Sequence, residues 1–539
     1  MDRARHLRNY DLHSWTGIAL GFFVFIVAFT GSVALFDEEL RTWEDPARRL
    51  TQIENPVPID AHFRTFLTEQ QEEGELRSTS LKFPGSIEPY YKGFAFLEDE
   101  QGEFHFHQRR WDPSNGNVLP ERGEGLSVWL LDFHRDLMWP AALGGRTIGR
   151  ALVGVVGVIL MLAILTGVIA HTKIFEELFS LRYWRSVRLK WQDTHKVAGL
   201  WGLPFFAMIS ITGAFLGIVA VLSPIVAVLA FKGDTEALIE AVIGAPPEPA
   251  GIEAQMIPID DLLEIKHEES GAAPDRVIVS HWGDEAATYN LLYYADKELT
   301  LYDSVTISAV NGERVSNQTF DTDTPANRVT SAVTPLHYGT FGGEYGSFGA
   351  IALKLLYFAL GLCLAIITGM GNMMWIERRL HGNDGNRSEM FYRRLSRFNV
   401  GICAGLPLAS VAIFYLDKLY GGAEALRMSW TGWVYFGVWF AAIIFAQSRE
   451  NEYLSLRALL TITGIGLIGI PILNGLTTGD YFWAALASGH SISAWVDISC
   501  LAAGILTVAA SRTLPEARPE KKKKRAQKER GEPALAPAE

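Results

Sequence analysis

Two histidines at the edges of apolar stretches are the residues of this sequence that are best suited to carry out chemistry. His13 lies at the start of the stretch 12–31, LHSWTGIALGFFVFIVAFTG, and His195 at the start of 194–213, THKVAGLWGLPFFAMISITG. In both stretches a glycine follows four residues after the histidine, and both stretches end in Thr-Gly. This shared spacing predicts an internal repeat in which the two histidines are equivalent.

A second pair of histidines precedes the apolar segments that complete each repeat. His134 lies in LDFHRDLMWP and His337 in TPLHYGTFGG, and the segments that follow end in LTGVIAH and ITGMGNM. We expect His13 and His195 near the cytoplasmic ends of the first and third helices. We expect His134 and His337 near the external ends of the second and fourth helices. One symmetry-related pair would then lie at each face of a membrane.

Two imidazoles from facing helices are the arrangement that holds haem iron in a helical bundle. The small residues Gly17, Gly21, Gly199 and Gly202 follow the first pair of histidines and leave room for a flat ring. Zinc usually takes three or four Cys, His or carboxylate ligands, and neither pair has a clear third partner. A proton relay would need carboxylates within the membrane, and the first four apolar segments have essentially none. The pattern therefore favours two haem groups.

Basic residues near the two pairs are candidate partners for haem propionates, because a cation beside a carboxylate forms a charge-assisted hydrogen bond. At the external pair the candidates are Arg146, Arg150 and Lys354, and at the internal pair they are Arg8 and Lys196.

His171 ends the second apolar segment and breaks the symmetry of the repeat, because its equivalent is Met373. It could replace His13 or His195 as a ligand, or it could cap the C-terminus of its helix. The broken symmetry favours the cap.

The histidines of the external segments are expected on strands or on the surface: His62, His105, His107, His267 and His281. His105 and His107 would share one face of a strand, where they could touch a metal-bearing substrate. In the last apolar segment, His490 and Asp497 are the polar residues that stand out.

Composition identifies the class of protein that holds these residues. Of 539 residues, 49% are hydrophobic, and they are bunched into runs long enough to span a bilayer. We expect eight spans, at about 14–36, 147–171, 197–231, 349–375, 399–416, 428–447, 455–475 and 483–511. Pro224 is expected to interrupt the third. The first helix is expected to stay as an anchor rather than to be a cleaved signal peptide.

Charge gives the orientation, because lysine and arginine are retained on the cytoplasmic side. They are concentrated before the first span, in the loops 173–190 and 377–397, and in the tail 512–539. Both termini are therefore expected to be cytoplasmic. The basic tail is expected to be a disordered anchor or a lipid contact, not a nucleic-acid site. The net charge of −12 is then carried mostly by the long external loops.

The expected organisation is an α-helical polytopic membrane protein with an internal duplication and two small α+β external domains. Its parts are helix 1 (1–36), external domain 1 (37–145), helix 2 (146–172), a cytoplasmic loop with helix 3 (173–231), external domain 2 (232–348), helix 4 (349–376), a basic loop (377–397), four further helices (398–511) and the basic tail (512–539).

The two external segments resemble each other, as the helices do. VPID at 57–60 matches IPID at 257–260, and each opens a short helical stretch with Asp60 or Asp260 as the expected N-cap. Alternating segments typical of strands follow, with turns at Asn-Gly pairs. Cysteines occur only in expected spans, so no disulfide is expected in the external domains.

At these residues the sequence resembles the PepSY-associated transmembrane helix family. LHSWTGIALGFFVFIVAFTGSVALF and THKVAGLWGLPFFAMISITGAFLG are similar to its His-x-x-x-Gly helices, and LHYGTFGG is similar to its external histidine motif. The resemblance covers about residues 8–380. The two loops resemble its PepSY domains, which consist of a helix and a hairpin.

The resemblance implies a function, because members of the family include bacterial inner-membrane ferric-siderophore reductases that carry two b-type haems. It implies His13, His134, His195 and His337 as axial ligands, and a ferric siderophore or another ferric chelate as the external substrate. The electron donor would be cytoplasmic or a quinol. The last four helices receive no chemical assignment.

Two other classes of function compete with a haem-dependent ferric-chelate oxidoreductase. One is a non-redox PepSY membrane protein whose external domains bind or restrain a protease or an envelope protein. The other is a transporter, which usually has broken polar helices near the middle of the membrane. Such helices are not evident in this sequence.

Overall fold

The structure is a computed structural model that describes most of the chain. The described residues are 3–53, 55–99, 103–123, 125–171, 174–179, 187–234, 237–238, 248–263, 273–294, 299, 302–315, 325–341, 347–381 and 388–516. Eight helices within these ranges are long and apolar enough to cross a membrane, which is the number that hydropathy predicts. The protein is thus a multi-pass membrane protein with eight candidate spans.

The helices of the described residues are α1 (Arg3–Ala34), α2 (Asp37–Glu44), α3 (Asp60–Gln71), α4 (Leu126–Asp136), α5 (Gly145–Ala170), α6 (Ile174–Glu177), α7 (Val187–Trp201), α8 (Leu203–Ala230), α9 (Pro325–Tyr338), α10 (Phe348–His381), α11 (Glu389–Leu419), α12 (Arg427–Ser448), α13 (Glu452–Thr478), α14 (Phe482–Ala487) and α15 (Ser491–Thr513). The candidate spans are α1, α5, α8, α10, α11, α12, α13 and α15.

Two of the expected spans are divided at glycines. Within the expected third span, α7 ends at Trp201 and α8 begins after Gly202, so the two helices are separate. The expected eighth span is divided between α14 and α15, where Gly489 has a φ of 82°. Glycine adopts such a left-handed conformation without the steric cost of a side chain.

Pro224 does not interrupt the third span, contrary to the expectation. It lies inside α8, which continues to Ala230. Proline removes one helical hydrogen bond. Unwinding the helix within lipid would leave more backbone groups without partners, so a membrane helix tolerates this loss.

The strands of the two external segments form one antiparallel sheet rather than two separate sheets. The strands are β1 (Glu75–Lys82), β2 (Tyr91–Glu98), β3 (Phe104–Trp111), β4 (Arg276–Ser280), β5 (Thr288–Tyr294) and β6 (Tyr302–Ser308). Their order is β3-β2-β1-β4-β5-β6, so β1 and β4 join the two halves of the repeat. The central register pairs Thr79 with Val279 and Leu81 with Val277.

One face of this sheet forms a hydrophobic core with α3 and with the helical residues 259–263. Side chains of equivalent positions in the two repeats are fully buried here, among them Ile59 and Ile259. This covered face makes the external sheet region a single packed unit.

Asp60 and Asp260 do not cap their own helices as expected, but cap each other's. The Asp60 carboxylate accepts the backbone N–H of Ile259 at 2.8 Å. The Asp260 carboxylate accepts the N–H groups of Ile59 at 3.0 Å and of Asp60 at 2.8 Å. These exchanged caps satisfy helix N–H groups that would otherwise lack partners, and they link the two repeats.

The spans of the two repeats form one bundle. α1 packs on α5 and on α10, and α5 packs on α8. α11 packs beside α1 and α10 and carries α12 and α13, while α15 packs on α13. These added helices also contact α2 and α4.

Candidate functional site

The structure brings together the two histidine pairs that the repeat suggests. The ring centres of His13 and His195 lie 6.4 Å apart, and those of His134 and His337 lie 6.3 Å apart. An imidazole nitrogen lies about 2.0 to 2.1 Å from a bound metal and about 1.1 Å from its own ring centre. Two imidazoles that shared one metal ion would therefore have ring centres at most about 6.3 Å apart. The distances in both pairs are compatible with this limit.

Three of the four histidines lie on separate helices that precede the spans. His195 lies on α7, His134 on α4 and His337 on α9, whereas His13 lies on α1. α4 ends two residues after His134, where Leu137 takes a left-handed conformation with a φ of 56°.

The internal imidazoles have a defined tautomer. His13 Nδ1 lies 2.9 Å from the carbonyl oxygen of Ala163 on α5, and His195 Nδ1 lies 2.8 Å from that of Ile367 on α10. A carbonyl oxygen only accepts hydrogen bonds, so each Nδ1 is the donor. The lone pair of each neutral ring therefore resides on Nε2, the nitrogen that remains for a metal.

The external imidazoles are held in a similar way, with one difference. His134 Nδ1 donates to the carbonyl oxygen of Val27 on α1 at 3.1 Å. His337 Nδ1 lies 3.0 Å from the hydroxyl oxygen of Thr212 on α8 instead. That hydroxyl donates to the carbonyl oxygen of Met208 at 2.9 Å, and so it accepts from His337.

A glycine beside each histidine makes these approaches possible. A Cβ atom would lie between 2.6 and 3.1 Å from the imidazole Cε1 at each of four glycines, namely Gly167 beside His13, Gly371 beside His195, Gly31 beside His134 and Gly213 beside His337. Wherever a carbonyl accepts the bond, the glycine follows it by four residues, as Gly31 follows Val27. Gly31 and Gly213, the glycines of the two repeated Thr-Gly pairs, lie within α1 and α8 and contact the external pair.

The glycines that were expected to leave space behind the internal pair differ in their surroundings. A Cβ at Gly17 or at Gly199 would meet nothing within 4 Å. At Gly21 it would meet the side chain of Asn372, and at Gly202 that of Phe206. Only the glycine four residues after each histidine therefore opens onto free space.

A cavity of about 310 Å³ adjoins the external pair, between α1, α4, α5, α8, α9 and α10. Its lining is mainly apolar, with Arg135 and Arg150 as basic residues beside His134 and His337. Within the described part of the chain, the buried Arg150 Nε has no hydrogen-bond partner. Such a cavity suits a flat, mostly apolar ligand with acidic groups at one edge.

The other expected propionate partners are engaged elsewhere or lie apart from this cavity. Arg146 pairs with Asp132 at 2.8 Å and leaves 63% of its side chain exposed. Lys354 pairs with Glu39 at 2.6 Å. Neither lines the cavity. Sequence reasoning missed Arg135, although its position directly after His134 was a signal.

At the internal pair, the expected basic partners are Arg8 and Lys196. Arg8 is exposed on α1. The Lys196 ammonium lies 3.7 Å from the fully buried carboxylate of Asp193, one turn before it on α7. His171 ends α5 and donates its backbone N–H to the carbonyl of Val168.

Burial keeps the external imidazoles neutral. It lowers the pKa of His134 to about 4 and the pKa of His337 to about 3. Both rings are therefore uncharged at neutral pH, which is the form that binds metals.

The remaining histidines of the described residues lie outside both pairs. His105 and His107 lie on β3, and each contacts a carboxylate. The Nε2 atom of His105 lies 2.6 Å from the Asp99 carboxylate. His490 contacts Asp480 at 3.3 Å. His62 packs beside Gly116, and His281 lies directly after β4. The position of His267 falls outside the described residues.

Comparisons with known proteins assign the larger part of the chain to a family. Residues 10–378 match the family model described as the PepSY-associated TM region. The chain is also 29% identical over 336 residues to a Pseudomonas aeruginosa protein described as uncharacterized protein PA4219, a match that covers 60% of this chain and 82% of that protein. The family match includes His13, His134, His195 and His337 and extends over more than half of the sequence. The chain therefore belongs to the PepSY-associated TM region family.

Proposed function

We propose that this protein carries single electrons across a bacterial inner membrane and reduces a ferric chelate, such as a ferric siderophore, on the external side. The observation that carries the proposal is the pair of imidazoles at each depth, with ring centres 6.3 to 6.4 Å apart. Two b-type haems, one held by His13 and His195 and the other by His134 and His337, would supply the one-electron carriers.

The residues of the chain prepare these positions. Donation from Nδ1 to a fixed acceptor sets the orientation of each ring and makes Nε2 a better electron donor to a metal. Helix α1 contributes His13 to one pair and the Val27 carbonyl to the other. These positions are 14 residues apart, which corresponds to about 21 Å along the helix.

Arg150 would bind the acidic edge of the external group together with Arg135, whose guanidinium also pairs with Asp132. Both line the cavity beside His134 and His337. Guanidinium groups form paired hydrogen bonds with carboxylates, and such bonds strengthen where water is excluded. The two residues would therefore fix the orientation of the group as well as balance its charge.

The direction of electron flow follows from the orientation that the charges favour. The basic loops and the tail place both termini on the cytoplasmic side, so the sheet region and the external pair face outward. A cytoplasmic reductase or a quinol would supply each electron at the internal pair. One electron converts chelated Fe(III) to Fe(II), which hard oxygen ligands bind more weakly.

A non-redox role for the external sheet region, in which the spans only anchor a binding domain, is the alternative. It requires none of the four imidazoles and none of the glycines that admit them. Their repeated arrangement at two depths is therefore the reason to favour electron transfer.

The first test is the absorption spectrum and haem content of the purified protein. We expect about two b-type haems per chain. His134→Ala and His337→Ala should each remove the external haem, and His13→Ala and His195→Ala the internal one, while His62→Ala should change neither. Haem content of zero after haem-replete expression would refute the proposal.

The second test is electron transfer in sealed vesicles that contain a reductant inside and a ferric chelate outside. The wild-type protein should reduce the external iron, and each variant that lacks one haem should not. Equal rates in the wild type and in His13→Ala would show that the iron is reduced by another route.

A further inference from the structure

The second face of the external sheet carries an aromatic patch. Phe94 and Phe96 on β2 face Phe104 and Phe106 on β3, on the side opposite to α3. The rings of Phe96 and Phe104 stack at 5.1 Å, and those of Phe94 and Phe106 lie 5.6 Å apart. Phe104 and Phe106 are 59% and 61% exposed. Large apolar side chains grouped on a soluble face usually mark a binding surface.

Cations border this patch. The guanidinium carbon of Arg276 on β4 lies 5.4 Å from the ring centre of Phe94, and the Lys92 ammonium lies 5.0 Å from the same ring centre. Lys92 has a carboxylate 3.7 Å away, that of Glu88. Arg276 forms no ion pair with any described residue, and its buried Nε has no hydrogen-bond partner there. Its charge is therefore left for a ligand.

A pocket of about 240 Å³ lies between the patch and this cation. Phe94, Phe96 and Phe106 form its apolar wall, Arg276 lies at its edge, and Ser78 and Ser80 add hydroxyl groups from β1. This volume suits one substituted aromatic ring. Rings stack on phenylalanine in offset or edge-to-face geometry, while guanidinium and hydroxyl groups bind anionic oxygens.

We propose that this pocket binds an aromatic group with anionic oxygens, namely the phenolate or catecholate arm of a ferric chelate. The inference rests on the proposed function for the identity of the chelate, and it names the class of chelate that the protein takes. An aliphatic hydroxamate has no ring to stack on Phe94 and Phe106, so it would gain little from this surface.

The position of the pocket fits the capture of such a chelate beside the external pair. The loop between β1 and β2 contacts α2, where the Thr42 hydroxyl donates to the Ile87 carbonyl at 3.4 Å. Helix α2 in turn packs on α4, which carries His134. The pocket therefore lies on the side of the membrane where reduction would occur.

Calorimetric titration of the intact protein with a gallium(III) tris-catecholate complex tests the proposal. Gallium(III) resembles iron(III) in charge and ligand preference but is not reduced, so binding is measured apart from electron transfer. We expect Arg276→Gln and Phe106→Ala to weaken binding at least tenfold, about 1.4 kcal/mol. Arg109→Gln is the matched control, because Arg109 lies on the opposite face of β3 and pairs with Glu69.

Three results would overturn the proposal. They are an absence of catecholate binding by the wild type, equal affinities for catecholate in Arg276→Gln and wild type, and equal binding of a gallium hydroxamate complex. Self-association that Phe106→Ala abolishes, without catecholate binding, would assign the patch to a second copy of the chain. The haem spectrum of the same samples shows independently whether the proposed function stands.

Discussion

His337 differs from the other three histidines in the group that accepts its Nδ1 proton. The others donate to backbone carbonyls, whereas His337 donates to the hydroxyl of Thr212. A carbonyl oxygen in a helix cannot be removed by mutation, but a hydroxyl can. The external pair therefore offers a direct test of how this hydrogen bond influences the iron.

We predict that Thr212→Val raises the midpoint potential of the proposed external haem. Valine has nearly the same shape as threonine but accepts no hydrogen bond, so the imidazole of His337 would donate less electron density and stabilise ferric iron less. A lost hydrogen bond is equivalent to about 1 kcal/mol, or roughly 40 mV for one electron. Redox titration monitored by absorbance measures the shift.

Thr368→Val is the matched control for this prediction. Thr368 directly follows Ile367, whose carbonyl accepts the hydrogen bond from His195, but the Thr368 hydroxyl donates to the Leu364 carbonyl at 2.7 Å. The internal potential should stay unchanged. An equal shift in both variants, or an unchanged external potential in Thr212→Val, would contradict the role of the hydroxyl.

The four histidines could be predicted from the sequence because their spacing repeats. Their acceptors could not, because three of them are backbone carbonyls of Val27, Ala163 and Ile367, which any residue type provides. The nearest signal was the glycine four residues after each of these carbonyls.

At the level of single elements, α3 and the helical residues 259–263 exchange their N-terminal caps. Asp60 binds the N–H of Ile259, and Asp260 binds the N–H groups of Ile59 and Asp60. The motif [VI]-P-I-D looks the same whether an aspartate caps its own helix or that of its neighbour. Local sequence therefore predicted a cap without indicating which helix receives it.

We predict that Asp60→Ala loosens the helix of the other repeat. The backbone N–H of Ile259 loses its acceptor, while that of Ile59 keeps Asp260. A lost cap costs about 0.5 to 2 kcal/mol, so local exchange should accelerate roughly 2- to 30-fold. Hydrogen exchange followed by mass spectrometry on peptides that cover 57–63 and 257–263 measures the effect.

The reciprocal variant, Asp260→Ala, is the internal control. It should accelerate exchange in 57–63 more than in 257–263. Faster exchange confined to the mutated segment in both variants would show that each aspartate acts locally.

At the scale of the whole molecule, the C-terminal helices dock onto the segments that follow α1. The Trp43 indole N–H donates to the Asp497 carboxylate at 2.8 Å, and Arg49 pairs with Asp480 at 3.0 Å. Trp129 on α4 packs on Tyr435 of α12, with ring centres 4.2 Å apart. Because α4 carries His134, these contacts connect α11–α15 to the position of the external pair.

Asp497 thus has a structural partner, although the sequence marked it only as an unusual polar residue in the last span. Asn474 on α13 also donates to it, at 2.9 Å. Hydropathy and the repeat predicted the spans and the duplication because both are local properties of the chain. The shared sheet and the docking of α11–α15 join residues up to 454 positions apart, and no local pattern encodes such pairs.

The two pairs also differ in the angle between their rings, which is 66° for His13 and His195 and 23° for His134 and His337. Axial ligand planes set the energies of the two iron d orbitals that overlap with the imidazole π systems. Nearly parallel planes separate these orbitals, and nearly perpendicular planes leave them close together. If the proposed haems are held with the rings at these angles, frozen-solution electron paramagnetic resonance should show a rhombic low-spin signal for the external site and a single signal at large g for the internal site. Loss of only the rhombic signal in His337→Ala would assign each spectrum to its depth, and loss of the large-g signal instead would contradict the assignment.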